Sequence, residues 1–214
     1  MKVVCILGMV HSGTTLVDSP KTVATVQTWV ELVGKENVRV LLLVRDVRGW
    51  MTSMIDLSKR TGEHRTRDLL VKFGLSGPKE IARRTRLNRF RQWYRGNQRL
   101  QRFLEQSAIG NFQLSYEKLC LFPDKLLDDL CRFLDVRPVP EMLSIGESGS
   151  HVVLGNRMKD EDGTRAAIRY DGRWFTRREW LLPATLLPTV MRYNAREVYG
   201  NVDDGRHTSR IVRS

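Results

Sequence analysis

Apolar positions along this chain follow two rhythms. Compact runs at Val3–Leu7 and Val38–Val44 (VRVLLLV), rich in β-branched residues, have the pattern of strands buried on both faces. Asn111–Ser115 (NFQLS) predicts a third, shorter strand. Between them the spacing turns helical. Helices are expected over Thr22–Val33, which Gly34 ends, over Trp50–Leu57 and over Lys79–Gln106. In the last of these Leu87, Phe90, Tyr94, Asn97 and Leu104 share one face. Pro123 opens another helix at Asp124–Leu134, and a final one spans Arg177–Tyr199, interrupted near Pro183 and Pro188. Arg45-Asp46-Val47-Arg48-Gly49 forms a charged turn after the second strand, while 58–78 and 135–150 carry the glycines and prolines of loops. Strands alternating with helices predict an α/β domain with a central, mostly parallel sheet flanked by helices. That domain is expected over residues 1–199, with 200–214 as a disordered basic tail.

The length of 214 residues fits one domain with a real core, and no apolar run reaches the roughly 18–20 residues of a membrane span. Cys5, Cys120 and Cys131 are an odd set without a CxxC pair. Together with the absence of a secretory pattern at the start, they point to free thiols in the cytoplasm. Thirty-six basic against 24 acidic residues give a net charge of +12, which should attract nucleotides, nucleic acid, sulfated glycans or acidic lipids. Arg84, Arg91, Arg95 and Arg102 concentrate part of it on one face of the long helix. This stripe suits a polyanion, but without interleaved aromatics a solvated face is the simpler reading.

The chemistry gathers just after the predicted strands. Gly8 ends the first, and the turn His11-Ser12-Gly13-Thr14-Thr15 leads toward a helix, so backbone N–H groups can converge on an anion. The spacing Gly8-x-x-x-x-Gly13 is that of a phosphate loop, yet Thr14-Thr15 stand where a nucleotide triphosphatase has Lys-Ser/Thr. Arg45–Arg48 and Tyr116 likewise follow strands directly, and in a parallel sheet ligands sit beyond the C-terminal strand ends. A simple strand-end salt bridge between Arg45 and Asp46, and Tyr116 as a cap on the core, are the plainer alternatives.

Four segments in this order resemble the sulfotransferases that use 3′-phosphoadenosine 5′-phosphosulfate (PAPS): GMVHSGTTL, LLLVRDVRGWMTS, SYEKLCLFPDKLLDDLCRFLDV, and HVVLGNRMK with IRYDGRW. The last resembles bacterial-type members. The resemblance implies a three-layer P-loop-like fold, a PAPS co-substrate without a metal, and a hydroxyl or amine acceptor on a small molecule or glycan. It implies no specific nucleic acid partner. The amides of Ser12, Gly13, Thr14 and Thr15 would hold the phosphosulfate, with His11 acting on the bridging oxygen. Arg45 and Ser53, eight residues apart, would hold the 3′-phosphate. Tyr116 would lie near the adenine, and Arg157 or Lys159 would close over the 3′-phosphate.

Family members carry a longer segment between the loop and the 3′-phosphate motif, where this chain has 29 residues between Thr15 and Arg45. A block that usually supplies the acceptor's base is therefore expected to be missing after Val17, through natural reduction or a faulty gene model. Asp18, Glu31 and His151 are the candidate bases. Two other functions remain open: a P-loop nucleotide or small-molecule kinase using Asp46 for Mg²⁺, and a non-catalytic polyanion-binding remnant of the fold.

Overall fold

The computed structural model of the chain describes residues 3–8, 23–60, 85–138 and 170–200. Its elements are β1 (Val3–Gly8), α1 (Val23–Val33), β2 (Val38–Val44), α2 (Val47–Arg60), α3 (Arg86–Ser107), β3 (Gly110–Ser115), α4 (Tyr116–Leu121) and α5 (Pro123–Leu134). A 3₁₀ turn at Arg173–Thr176 and two short helices, α6 (Leu181–Leu186) and α7 (Pro188–Asn194), follow; α7 runs into a π-helical turn over Ala195–Tyr199.

The three strands form one parallel sheet in the order β1-β2-β3. Val3 pairs with Val38 and Gly8 with Leu43; on the other side Arg39 pairs with Gly110 and Val44 with Ser115. β2 is thus central, and its alternate side chains enter two separate cores. Val38, Val40, Leu42 and Val44 pack with Val26 of α1, Trp50 and Met51 of α2, Phe90 and Trp93 of α3, and Val190 of α7. Leu41 and Leu43 instead join Phe112 and Leu114, against Leu119, Leu126, Leu130 and Phe133 of α4 and α5. A strand covered on both faces must be apolar at nearly every position, which is why VRVLLLV carries so strong a signal. The chain is a mixed α/β protein, and among the described residues no helix is long and apolar enough to cross a membrane. Among those residues Cys120 and Cys131 are free thiols.

Most boundaries follow local chemistry. Gly34, at φ +83°, ends α1 in a conformation that favours glycine. The Thr85 hydroxyl caps α3 by accepting from the Asn88 N–H at 3.3 Å, and Ser115 caps α4 in the same way through Lys118. Pro183 is tolerated in the first turn of α6, where its missing N–H is not needed. Pro188 keeps Leu187 out of the helical region (φ −124°, ψ 62°) and so divides the last helix. That helix also starts later than its pattern suggested, at Leu181 rather than Arg177. α2 departs in the other direction: it begins at Val47 and runs to Arg60, so the expected charged turn is mostly its first turn and the expected loop at 58 begins as helix. Residues 61–78 and 139–150 of the expected loops, residues 79–84 that the pattern assigned to the long helix, and the tail from 201 lie outside the described residues.

Leu42 is 1% exposed at the centre of the sheet, whereas Leu32 on α1 is 69% exposed. Urea denaturation should therefore show a loss of about 2–5 kcal/mol for Leu42→Ala, from lost transfer energy and the cavity left behind. Leu32→Ala should stay within about 0.5 kcal/mol of the wild type.

Candidate functional site

Val44 and Ser115 are register partners, so Arg45 and Tyr116 leave adjacent parallel strands at the same end of the sheet. β1 also ends there, at Gly8 opposite Leu43. The passage from β2 into α2 takes only two residues, Arg45 and Asp46, and it needs outside support. The first N–H groups of a helix have no partner within it. Here the Asp46 N–H donates to Glu117 Oε1 (3.0 Å), the Val47 N–H to Asn194 Oδ1 (2.8 Å), and the Arg48 N–H to Oδ1 of Asp46 itself (2.7 Å). Asp46 is therefore the N-cap of α2.

The Asp46 carboxylate is completely buried and accepts from Arg48 Nη2 (2.6 Å), Asn194 Nδ2 (2.9 Å) and the Tyr199 hydroxyl (2.8 Å). Burial pushes its pKa up, but the bonds and charge of Arg48, with the bonds from Asn194 and Tyr199, outweigh this and hold it below the usual carboxylate range. Arg48 in turn lies over the Trp174 ring at 3.9 Å.

Arg45 does not pair with Asp46, contrary to the plainer strand-end reading. It is 5% exposed, donates from Nη1 to Ser53 Oγ (3.1 Å) and from Nη2 to Asp171 Oδ2 (2.8 Å), and lies over the Tyr116 ring at 4.6 Å. Its Nε is buried and makes no hydrogen bond among the described residues. Trp93 Nε1 donates to the Arg45 carbonyl at 3.1 Å, fixing the backbone beneath it. Asp171 is itself held on all sides. Arg173 donates to both of its oxygens at 2.7 Å, and its own N–H donates to the Tyr116 hydroxyl at 3.1 Å. Burial raises the Asp171 pKa less than Arg173 and Arg45 lower it, so it remains a carboxylate well below the ordinary range. Arg173 and Arg177 also grip Asp56 of α2, at 2.9 and 3.1 Å. The result is an alternating ladder, Arg45–Asp171–Arg173–Asp56–Arg177, that ties the 3₁₀ turn to α2.

The structure thus brings together Arg45, Ser53 and Tyr116, three residues singled out from sequence. Glu31 is exposed on α1. His11, Ser12, Gly13, Thr14, Thr15, Arg157 and Lys159, with Asp18, His151 and the Val17–Asp18 junction, lie outside the described residues. Asp171, Arg173, Asn194 and Tyr199 were missed. IRYDGRW carried a visible signal for the first two, whereas Asn194 and Tyr199 had none, since their role comes only from where α7 packs. Comparison of the chain with models of known families, with curated proteins and with solved structures finds no match.

Glu117, 2% exposed, sits under this turn and also accepts from the Ser115 hydroxyl at 3.2 Å. Burial, with a contribution from the Asp46 charge, pushes its pKa up to about 7 from 4.5. The folded state then holds a proton that the unfolded chain releases at lower pH. Glu117 should therefore cost stability progressively as pH rises from about 4.5 to about 7. Glu117→Gln keeps an acceptor for the Asp46 N–H without the charge, with the bond to Ser115 reversed so that the amide donates to the hydroxyl. Melting curves across this window should show the variant gaining on the wild type as pH rises; a constant difference would contradict the assignment.

Proposed function

We propose that the chain is a PAPS-dependent sulfotransferase on a three-layer P-loop-like fold, moving a sulfuryl group to a hydroxyl or amine acceptor. One observation carries this reading: the buried Arg45 guanidinium, joined to Ser53 and stacked on Tyr116 at the C-terminal strand ends, keeps its Nε unpaired among the described residues. A cation placed this way, with a hydroxyl that accepts from it and so retains its own proton to donate, suits a phosphate. The 3′-phosphate of PAPS supplies one, and the Tyr116 ring provides an aromatic face beside it. His11 and the amides of residues 12–15 would meet the phosphosulfate, with Arg157 or Lys159 over the 3′-phosphate. In the transfer the acceptor oxygen or nitrogen bonds to sulfur as the bridging S–O bond breaks. The acceptor's proton passes to a base, for which Asp18, Glu31 and His151 are the candidates, and 3′,5′-ADP leaves. Fixed donors and cations would stabilise its developing charge.

The kinase reading needs Asp46 free to hold Mg²⁺. Its carboxylate is instead buried and taken up by Arg48, Asn194 and Tyr199, so this residue lends that reading no support.

Thermal shift separates the two. 3′,5′-ADP should raise the melting temperature without added metal, and Arg45→Ala should lose that response while remaining folded. Stabilisation by ATP with Mg²⁺ alone would overturn the proposal.

A further inference from the structure

α3 carries six arginines (Arg86, Arg89, Arg91, Arg95, Arg99 and Arg102) against a single acid, Glu105. Its inward side is committed to the core through Phe90, Trp93, Leu100 and Leu104. Arg91, Arg95, Arg99 and Arg102 are exposed on the other side and make no hydrogen bond or ion pair among the described residues. At 3.6 residues per turn they fall within about 80° of arc, along roughly 16 Å of helix. Arg99 completes a row that the sequence spacing had left interrupted.

This row opposes the stability of its own helix. Arg91–Arg95 and Arg95–Arg99 are like-charge pairs at i,i+4, each costing about 0.2–0.5 kcal/mol. The first turn has no acidic residue and the last no basic one, the reverse of what the helix dipole favours. A merely solvated face would mix signs.

We propose that the Arg91–Arg102 row is a docking surface for a carboxylated or sulfated polysaccharide chain. Arginine's planar fork matches carboxylate and sulfate oxygens, and guanidinium is shed of water more readily than ammonium. The surroundings select among polyanions. None of the large exposed apolar residues lies on α3, so among the described residues of this helix the row has neither an aromatic platform for stacking bases nor an apolar anchor for a membrane surface. A helix laid flat on its domain touches a rigid duplex at few phosphates, whereas a flexible glycan can follow all four guanidinium groups. Arg45, Ser53 and Tyr116 lie on other elements, so this surface stands whether or not they bind a nucleotide.

Heparin binding across a salt series tests the proposal, using a variant with Arg91, Arg95, Arg99 and Arg102 changed to Gln. A control variant removes the same charge from Lys125, Arg137, Arg178 and Arg192, also exposed. The row variant should bind at least about 10-fold more weakly and lose about 3 from its log–log salt slope, about 0.7–0.9 for each of the four contacts. Arg91→Gln with Arg95→Gln should lose about half that slope, which keeps the test available if the fourfold variant folds poorly. The control should retain most affinity. Equal losses in row and control variants would overturn the proposal, as would tighter binding to single-stranded RNA, duplex DNA or acidic-lipid vesicles than to heparin.

Discussion

A buried carboxylate sets the terms for this structure. An ion as fully enclosed as Asp46 is costly unless its oxygens are matched by donors, and removing one partner leaves the charge uncompensated. Arg48 alone could come from the same turn. Asn194 and Tyr199 must come from the far end of the described chain. The β2–α2 junction therefore depends on the docking of α7 and the turn after it. Asn194 makes the dependence mutual, since its Oδ1 caps the Val47 N–H while its Nδ2 reaches Asp46.

That docking sorts two neighbouring arginines into different roles. Arg48 is consumed by structure: its guanidinium pairs with Asp46 and lies against Trp174. Arg45, three residues earlier, is oriented but not exhausted. Ser53, Asp171 and the Tyr116 ring set its position, and Asp171 is held by Arg173, which is anchored on Asp56. Such rigidity lets a guanidinium meet an anion without losing much side-chain freedom at that moment. The surface arginines of α3 have no such framework; there, number and alignment replace preorganisation.

Elements whose identity comes from burial were legible in the sequence. VRVLLLV is apolar toward both faces, as a strand between two cores must be, and Leu126, Leu130 and Phe133 lie at helical spacing on the inner side of α5. The α2 start was misplaced because its helical signal is not hydrophobic periodicity. Asp46 acts as a cap, and the side-chain acceptors that complete it sit on α4 and α7. Arg45 and Ser53 were paired through the resemblance, whose motif sets them eight residues apart, and the structure joins them across the start of α2. Asp171 could not be linked to Arg45, because a contact across 126 residues has no periodicity. Asn194 and Tyr199 were invisible for the same reason.

The central claim is that Arg45, held in place by the C-terminal segment, receives a 3′-phosphate. Calorimetric titration of the wild type and Arg45→Ala with 3′,5′-ADP and with 5′-AMP isolates that phosphate from the rest of the nucleotide. The wild type should prefer 3′,5′-ADP by about 10–100-fold, the worth of one charged hydrogen-bonded contact of about 1.5–3 kcal/mol. Arg45→Ala should bind the two alike. Equal affinities in the wild type, or a preference that survives the substitution, would contradict the account.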